Sequence, residues 1–354
     1  MMRPAAVAAI AIWLCAGTPC VAQTIPRQER EVLQKARQLA AAQHLEDANE
    51  LLSEYVHQHP SAVAVLAELG SVQLEQKLND DAMQSFAAAL ALNPRQQQAR
   101  AGEVKAAVEA ALVDRSAGEN DRALSCLLQA LKLEPDSVEL LTDFGIQADA
   151  MQIYVDADEA LTHAHTLEPQ NAKVLYALAH VELDEQKMSQ AEENLKAYLK
   201  VRPRDATAYY GLGRLLHMLD KDDQAAVALK HSIALNPRQT ESYYELGEIA
   251  LNAQQDAEAK ADYERVLAAN PAHGGALTGM GILLFRAKDY SEAAAYLRKA
   301  VLYAPDYVKA HQFYAMTLER LGEKAKAKDE FALAQNLAAE QRRTSRGYHL
   351  LTSP

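Results

Sequence analysis

Along most of the chain, apolar residues recur three and four positions apart, the spacing that gathers them on one face of an α-helix. Proline cuts this pattern at regular intervals. Pro60, Pro94, Pro135, Pro169, Pro203, Pro237, Pro271 and Pro305 are separated by 34, 41, 34, 34, 34, 34 and 34 residues, and the remaining four prolines stand near the termini. Proline cannot continue a helix, so helix-forming sequence punctuated at a fixed step predicts a repeated helical unit. Twelve residues before each of those prolines is an alanine: Ala48, Ala82, Ala123, Ala157, Ala191, Ala225, Ala259 and Ala293, with Ala327 continuing the series. Four residues after each alanine comes a large side chain (Leu52, Phe86, Leu127, Leu161, Leu195, Leu229, Tyr263, Leu297, Phe331), which puts both on one helical face.

A second helix is predicted upstream in each period, where a large apolar residue is followed by an apolar and then a small one. Examples are Leu66, Leu69, Gly70; Leu141, Phe144, Gly145; Tyr209, Leu212, Gly213; Tyr243, Leu246, Gly247; and Leu277, Met280, Gly281. Glycine inside a helix costs about 1 kcal/mol relative to alanine. Its return at one phase points to a packing requirement, room for the partner helix.

These residues at these spacings resemble the tetratricopeptide repeat, a helix-turn-helix unit marked by a large residue, Leu-Gly, Ala and Pro. The resemblance covers residues 29–341 in nine units. It implies an all-α fold, a right-handed superhelical solenoid of tandem helix-turn-helix repeats, with a concave groove lined by the first helix of each unit. Two departures stand out. The 41-residue interval holds seven extra residues within 95–135, and Gln96 to Arg115 reads as one lengthened helix before the turn Ser116–Asn120. At the ends, Lys35-Ala36 replaces Leu-Gly in the first unit and Ala339 replaces proline in the ninth, as expected of capping repeats with a solvated outer side.

The N-terminus reads as an export signal over residues 1–22: Arg3 as a positive start, Ala5 to Leu14 as an apolar run, and Cys20-Val21-Ala22 as a small-residue cleavage motif before Gln23. The mature chain is then expected in the periplasm or outside the cell, with no membrane insertion of its own; an uncleaved N-terminal anchor is the alternative. Residues 23–28 form a short lead-in. Residues 342–354 read as a basic, disordered tail. Cleavage would remove Cys15 and Cys20 and leave Cys126 alone, a small hydrophobe in a helical run rather than half of an intramolecular disulfide.

Of the 354 residues, 24% are charged, and the net charge of -12 argues against a nucleic-acid partner, which would require a clustered basic stripe. The repeats contain no Gly-rich phosphate loop, no nucleophile elbow and no paired-cysteine metal motif, so neither an enzyme nor a cofactor is expected. His57/His59 and His163/His165 are two residues apart and do not share a helical face, so no metal site is predicted from them.

Function is therefore expected from the groove. Immediately after the buried large residue, three consecutive units carry Tyr176, Tyr210 and Tyr244, with His180, Arg214 and Glu248 four residues on and Leu183, His217 and Leu251 three further along. Each trio lies along one helical face. These residues are either a ligand-facing patch for a protein or peptide partner or contacts between neighbouring repeats. The Lys and Asn clamp of chaperone-binding members and the Asn ladder of those attached to sugar-transferring enzymes are not matched. Two functional readings follow: a non-catalytic scaffold holding a protein or peptide in its groove at the cell envelope, and a structural subunit of an envelope assembly or secretion complex that docks through its convex surface. The oligomeric state is not fixed by these patterns.

Overall fold

The computed structural model describes residues 25–343. The expected export signal, its cleavage motif and residues 344–354 of the basic tail lie outside the described residues. Among the described residues there are eighteen α-helices and no strand. The chain separates into two compact units, with the boundary between Glu109 and Ala110.

The first unit holds α1 (Arg27–Ala41), α2 (Leu45–Gln58), α3 (Val63–Glu75), α4 (Asn79–Leu92) and the start of α5 (Gln97–Ser116). The second holds the end of α5 and then α6 (Asn120–Leu133), α7 (Val138–Ala150), α8 (Tyr154–Leu167), α9 (Ala172–Asp184), α10 (Met188–Val201), α11 (Ala206–Met218) and α12 (Asp222–Leu235). It continues through α13 (Thr240–Asn252), α14 (Asp256–Ala269), α15 (Gly274–Arg286), α16 (Tyr290–Tyr303), α17 (Val308–Arg320) and α18 (Lys324–Arg343). Helix α5 has 20 residues against 13 in α3, which accounts for the seven extra residues of the long interval.

Two kinds of turn make this order. Each second helix stops two residues before its proline, as α10 does at Val201 ahead of Pro203, because the residue preceding a proline is driven out of helical backbone. Each first helix ends two residues before one with positive φ. These are Gln43, Lys77, Gly118, Gln152, Gln186, Asp220, Gln254, Lys288 and Gly322, one in every pair. The next amide then reaches back over the helix end: Lys187 N donates to Glu182 O at 2.7 Å and Lys221 N to Leu216 O at 2.9 Å. That bond satisfies a carbonyl left without a helical partner. Left-handed backbone costs a residue with a side chain about 1–2 kcal/mol, so the seven that are not glycine hold it because the flanking helices fix the turn.

The core follows the alanine register. Ala48, Ala82, Ala157, Ala191, Ala225, Ala259 and Ala293 have no exposed surface, and the side chains one helical turn on, including Phe86, Leu161, Leu229, Tyr263 and Leu297, are equally sealed. Each of these five faces the glycine of its partner helix. A Cβ added at Gly213 would lie 2.6 Å from Leu229 Cγ, and one at Gly281 would lie 2.5 Å from Leu297 Cγ. Where the inserted residue is aromatic, a second glycine is used. Phe86 sits between Gly70 and Gly102, and Tyr263 between Gly247 and Gly279. Cys126 is 9% exposed, with Sγ 3.9 Å from Asp114 Oδ2.

Helix propensity alone predicts that Gly279→Ala gains about 1 kcal/mol. The new Cβ would instead meet Tyr263 Cζ at 2.3 Å, against a ring with no room to turn. We therefore expect Gly279→Ala to destabilise the chain by about 1–3 kcal/mol, the range for overpacking, as measured by thermal or urea unfolding. An increase in stability would show that the helices part freely at this crossing.

Candidate functional site

In the second unit, a groove of about 1250 Å³ opens over α9, bordered by the end of α7, the starts of α8 and α11 and the end of α10. Its walls are set by caps and short contacts. The Asn171 side chain accepts from Lys173 N and Val174 N at the start of α9, and the Asp205 side chain accepts from Ala208 N at the start of α11. Asp205 also accepts the Tyr198 hydroxyl at 2.6 Å, which anchors the ring at the end of α10. The Tyr198 ring then meets Tyr176 of α9, with centroids 5.1 Å apart and planes at 52°. Burial and this carboxylate push the Tyr198 phenol up to about 12, so it stays a donor at any physiological pH.

Tyr154 at the start of α8 completes the aromatic lining, together with Ile146, Val181 and Val201. Small residues leave the space between them: Ala150, Ala172, Ala177 and Ala206 all line the groove. From Ala172 to Asp184 the lining runs along α9 for about 18 Å, at 1.5 Å per residue.

The two ends differ in charge. Lys173 stands at the start of α9, held 2.6 Å from Asp143, and the exposed Arg202 and Arg204 line the groove from the link between α10 and α11. At the other end, His180 Nδ1 lies 2.7 Å from Asp149 Oδ2 and 3.7 Å from Asp184 Oδ2. The side chains there are only 22%, 12% and 3% exposed for His180, Asp149 and Asp184. The Asp149 carboxylate, against the opposing effect of burial and with further help from Asp184, raises the His180 imidazole above its ordinary value.

The seven residues singled out in the sequence have divergent surroundings. Tyr176 and His180 line the groove. Tyr210 is 4% exposed and packs into the core with Leu183, Leu215 and Leu216. Tyr244 leans on His273 and Tyr263, with centroids 4.8 and 6.3 Å away, and covers Gly275. Glu248 accepts from the Tyr263 hydroxyl and from Lys309 Nζ, each at 2.6 Å. Arg214 Nε lies 3.5 Å from Glu245, and His217 Nδ1 lies 2.6 Å from Asp222. Sequence reasoning missed Tyr154, Tyr198, Asp149 and Asp184. One signal was available: His180 and Asp184 are four apart on one helix and so share a face.

Beneath the groove, Glu182 of α9 is 5% exposed and accepts from Asn194 Nδ2 through both oxygens at 2.9 Å. Burial outweighs that hydrogen bond and raises the carboxyl from 4.5 to about 7.

The tetratricopeptide repeat family model matches residues 33–96, 176–237, 244–307 and 278–341. The chain belongs to this family of helical repeat proteins. Among solved structures it is similar to that of pilF from Pseudomonas aeruginosa, at 19% identity and a TM-score of 0.52, covering 61% of this chain and 99% of that one. It is also similar to the APC/C hetero-tetramer Cut9-Hcn1, at 16% identity and a TM-score of 0.53, covering 87% of this chain and 58% of that one. At these identities the likeness is one of fold.

Because folding raises the Glu182 carboxyl, the folded state holds a proton that the unfolded chain releases, and stability falls as pH rises from 4.5 to about 7. Glu182→Gln removes that cost. The variant is expected to exceed the parent by on the order of 1–3 kcal/mol at pH 8 and to lose this advantage below pH 4.5, as read by urea unfolding across the range. An advantage that does not depend on pH would show that the carboxyl is ionised without penalty.

Proposed function

We propose that this chain is a non-catalytic scaffold of the cell envelope that holds an extended protein segment in the groove along α9. The observation that carries the reading is the groove itself, an aromatic and aliphatic trough of about 1250 Å³ with cationic groups at one end and carboxylates at the other. A trough about 18 Å long accommodates about five extended residues at 3.3 Å each. Tyr154, Tyr176 and Tyr198 give apolar area and hydroxyls at low entropic cost, which suits recognition of a peptide whose side chains alternate. Ligand charges of opposite sign at its two ends would match Arg202 and Arg204 on one side and Asp149 and Asp184 on the other.

The envelope part of the proposal rests on Arg3, the apolar run Ala5 to Leu14 and the small residues before Gln23. Among the described residues, no helix is long and apolar enough to cross a membrane. Proteins of this family act as scaffolds through surfaces formed by stacked helices, and the groove supplies such a surface.

A random peptide library displayed on phage and selected on the mature chain tests the proposal. Selected peptides should bind the parent in fluorescence anisotropy and bind at least about tenfold more weakly to Ala177→Trp, which fills the trough, and to Tyr198→Ala. Equal binding to the filled variant would place the ligand elsewhere and favour docking through the outer helices. Tyr210→Ala separates packing from contact: it should cost about 3 kcal/mol of stability in thermal unfolding.

A further inference from the structure

We infer that Asp149, His180 and Asp184 form a site for one divalent transition-metal ion of the zinc class at the acidic end of the groove. The three side chains come from two helices and converge. Their ligand atoms, one imidazole nitrogen and two carboxylate oxygens, all lie within 4.8 Å of one another. Ligands bonded to zinc at about 2.0–2.1 Å in a tetrahedral arrangement are about 3.3 Å apart. The two distances at His180 Nδ1, 2.7 Å to Asp149 Oδ2 and 3.7 Å to Asp184 Oδ2, bracket that value, and with all three ligand atoms within 4.8 Å of one another a side-chain rotation can bring them onto one ion.

The surroundings favour a cation. Asp149 and Asp184 are both largely buried and share one imidazole. A metal ion would take the place of the imidazole proton as the positive partner of two carboxylates in a groove also lined by Tyr154, Ile146 and Val181, where an isolated charge is expensive. Among the described residues, Asp149 Oδ1 is buried with no hydrogen-bond partner. A buried carboxylate oxygen without a donor calls for a partner outside the protein, and a bound ion supplies one.

The donor set selects the ion class. One imidazole with two carboxylates suits zinc and its neighbours, whereas magnesium and calcium prefer oxygen ligands throughout. With three protein ligands, the fourth position faces the groove, open to water or to a donor atom carried by a bound segment. The site stands independently of the peptide reading: a chain that binds zinc and no peptide keeps this inference and loses the other.

Isothermal titration of the full mature chain, stripped with a chelator and then dialysed, with zinc chloride tests the assignment. The expected result is one ion per chain, with affinity at least about tenfold weaker in Asp149→Asn and in His180→Ala, since even removal of an outer-shell partner costs a metal site that much. Asp149→Asn keeps the volume of the side chain, and circular dichroism checks that it remains folded. Cobalt in place of zinc should give visible absorption of tetrahedral intensity that is lost in the same two variants. His163→Ala, elsewhere on the surface, should bind as the parent does. Absence of stoichiometric zinc binding, unchanged affinity in Asp149→Asn, or equal binding of magnesium would overturn the site and leave an ion-paired histidine.

Discussion

Everything in this chain depends on two helices crossing closely enough for one large side chain of the second to fill the gap opposite a small residue of the first. Leu161 against Gly145, Leu229 against Gly213 and Leu297 against Gly281 repeat the same contact, and the alanine one turn earlier on the second helix is sealed in each case. Such a crossing fixes helix lengths, turn positions and the faces left over. It also explains why aromatic insertions need a second small neighbour. Phe86 and Tyr263 reach past the first glycine toward the next helix, where Gly102 and Gly279 receive them.

Closing the pair that tightly imposes a cost at the turn. The link between first and second helix is too short for ordinary backbone, and one residue in every pair takes a left-handed conformation. At Gly118 and Gly322 this is unstrained. Elsewhere glutamine, lysine or aspartate accepts the strain because a backbone bond over the helix end and the packed pair on both sides determine the geometry. The repeat thus survives with turn residues that sequence reasoning would not choose.

The groove is a local exception to this regular packing. The lining over α9 includes Ala150, Ala172, Ala177 and Ala206, whose small side chains leave the space that Tyr154, Tyr176 and Tyr198 border. Two pairs further on, Tyr244 closes over Gly275, and there the same tyrosine register becomes part of the packing. Polar groups follow the same division. Glu248 is tied to Tyr263 and Lys309, while Asp149, His180 and Asp184 are gathered at one end of the open space.

The sequence by itself determined the repeat. Proline, alanine and glycine at a fixed period are backbone and contact requirements that act at every unit alike, so helix order, the crossing residues and the lengthened α5 could be read from spacing. The fate of Tyr176, Tyr210 and Tyr244 could not, because a single phase says which way a residue leaves its helix and not what stands opposite. Tyr210 is sealed among Leu183, Leu215 and Leu216, Tyr244 is stacked, and Tyr176 is left beside a trough. Asp149 joins His180 and Asp184 for the same reason. The two on α9 share a face by helical spacing, but the placing of the Asp149 carboxylate of α7 within 2.7 Å of His180 is set by the packing of whole helix pairs, which only the tertiary structure decided.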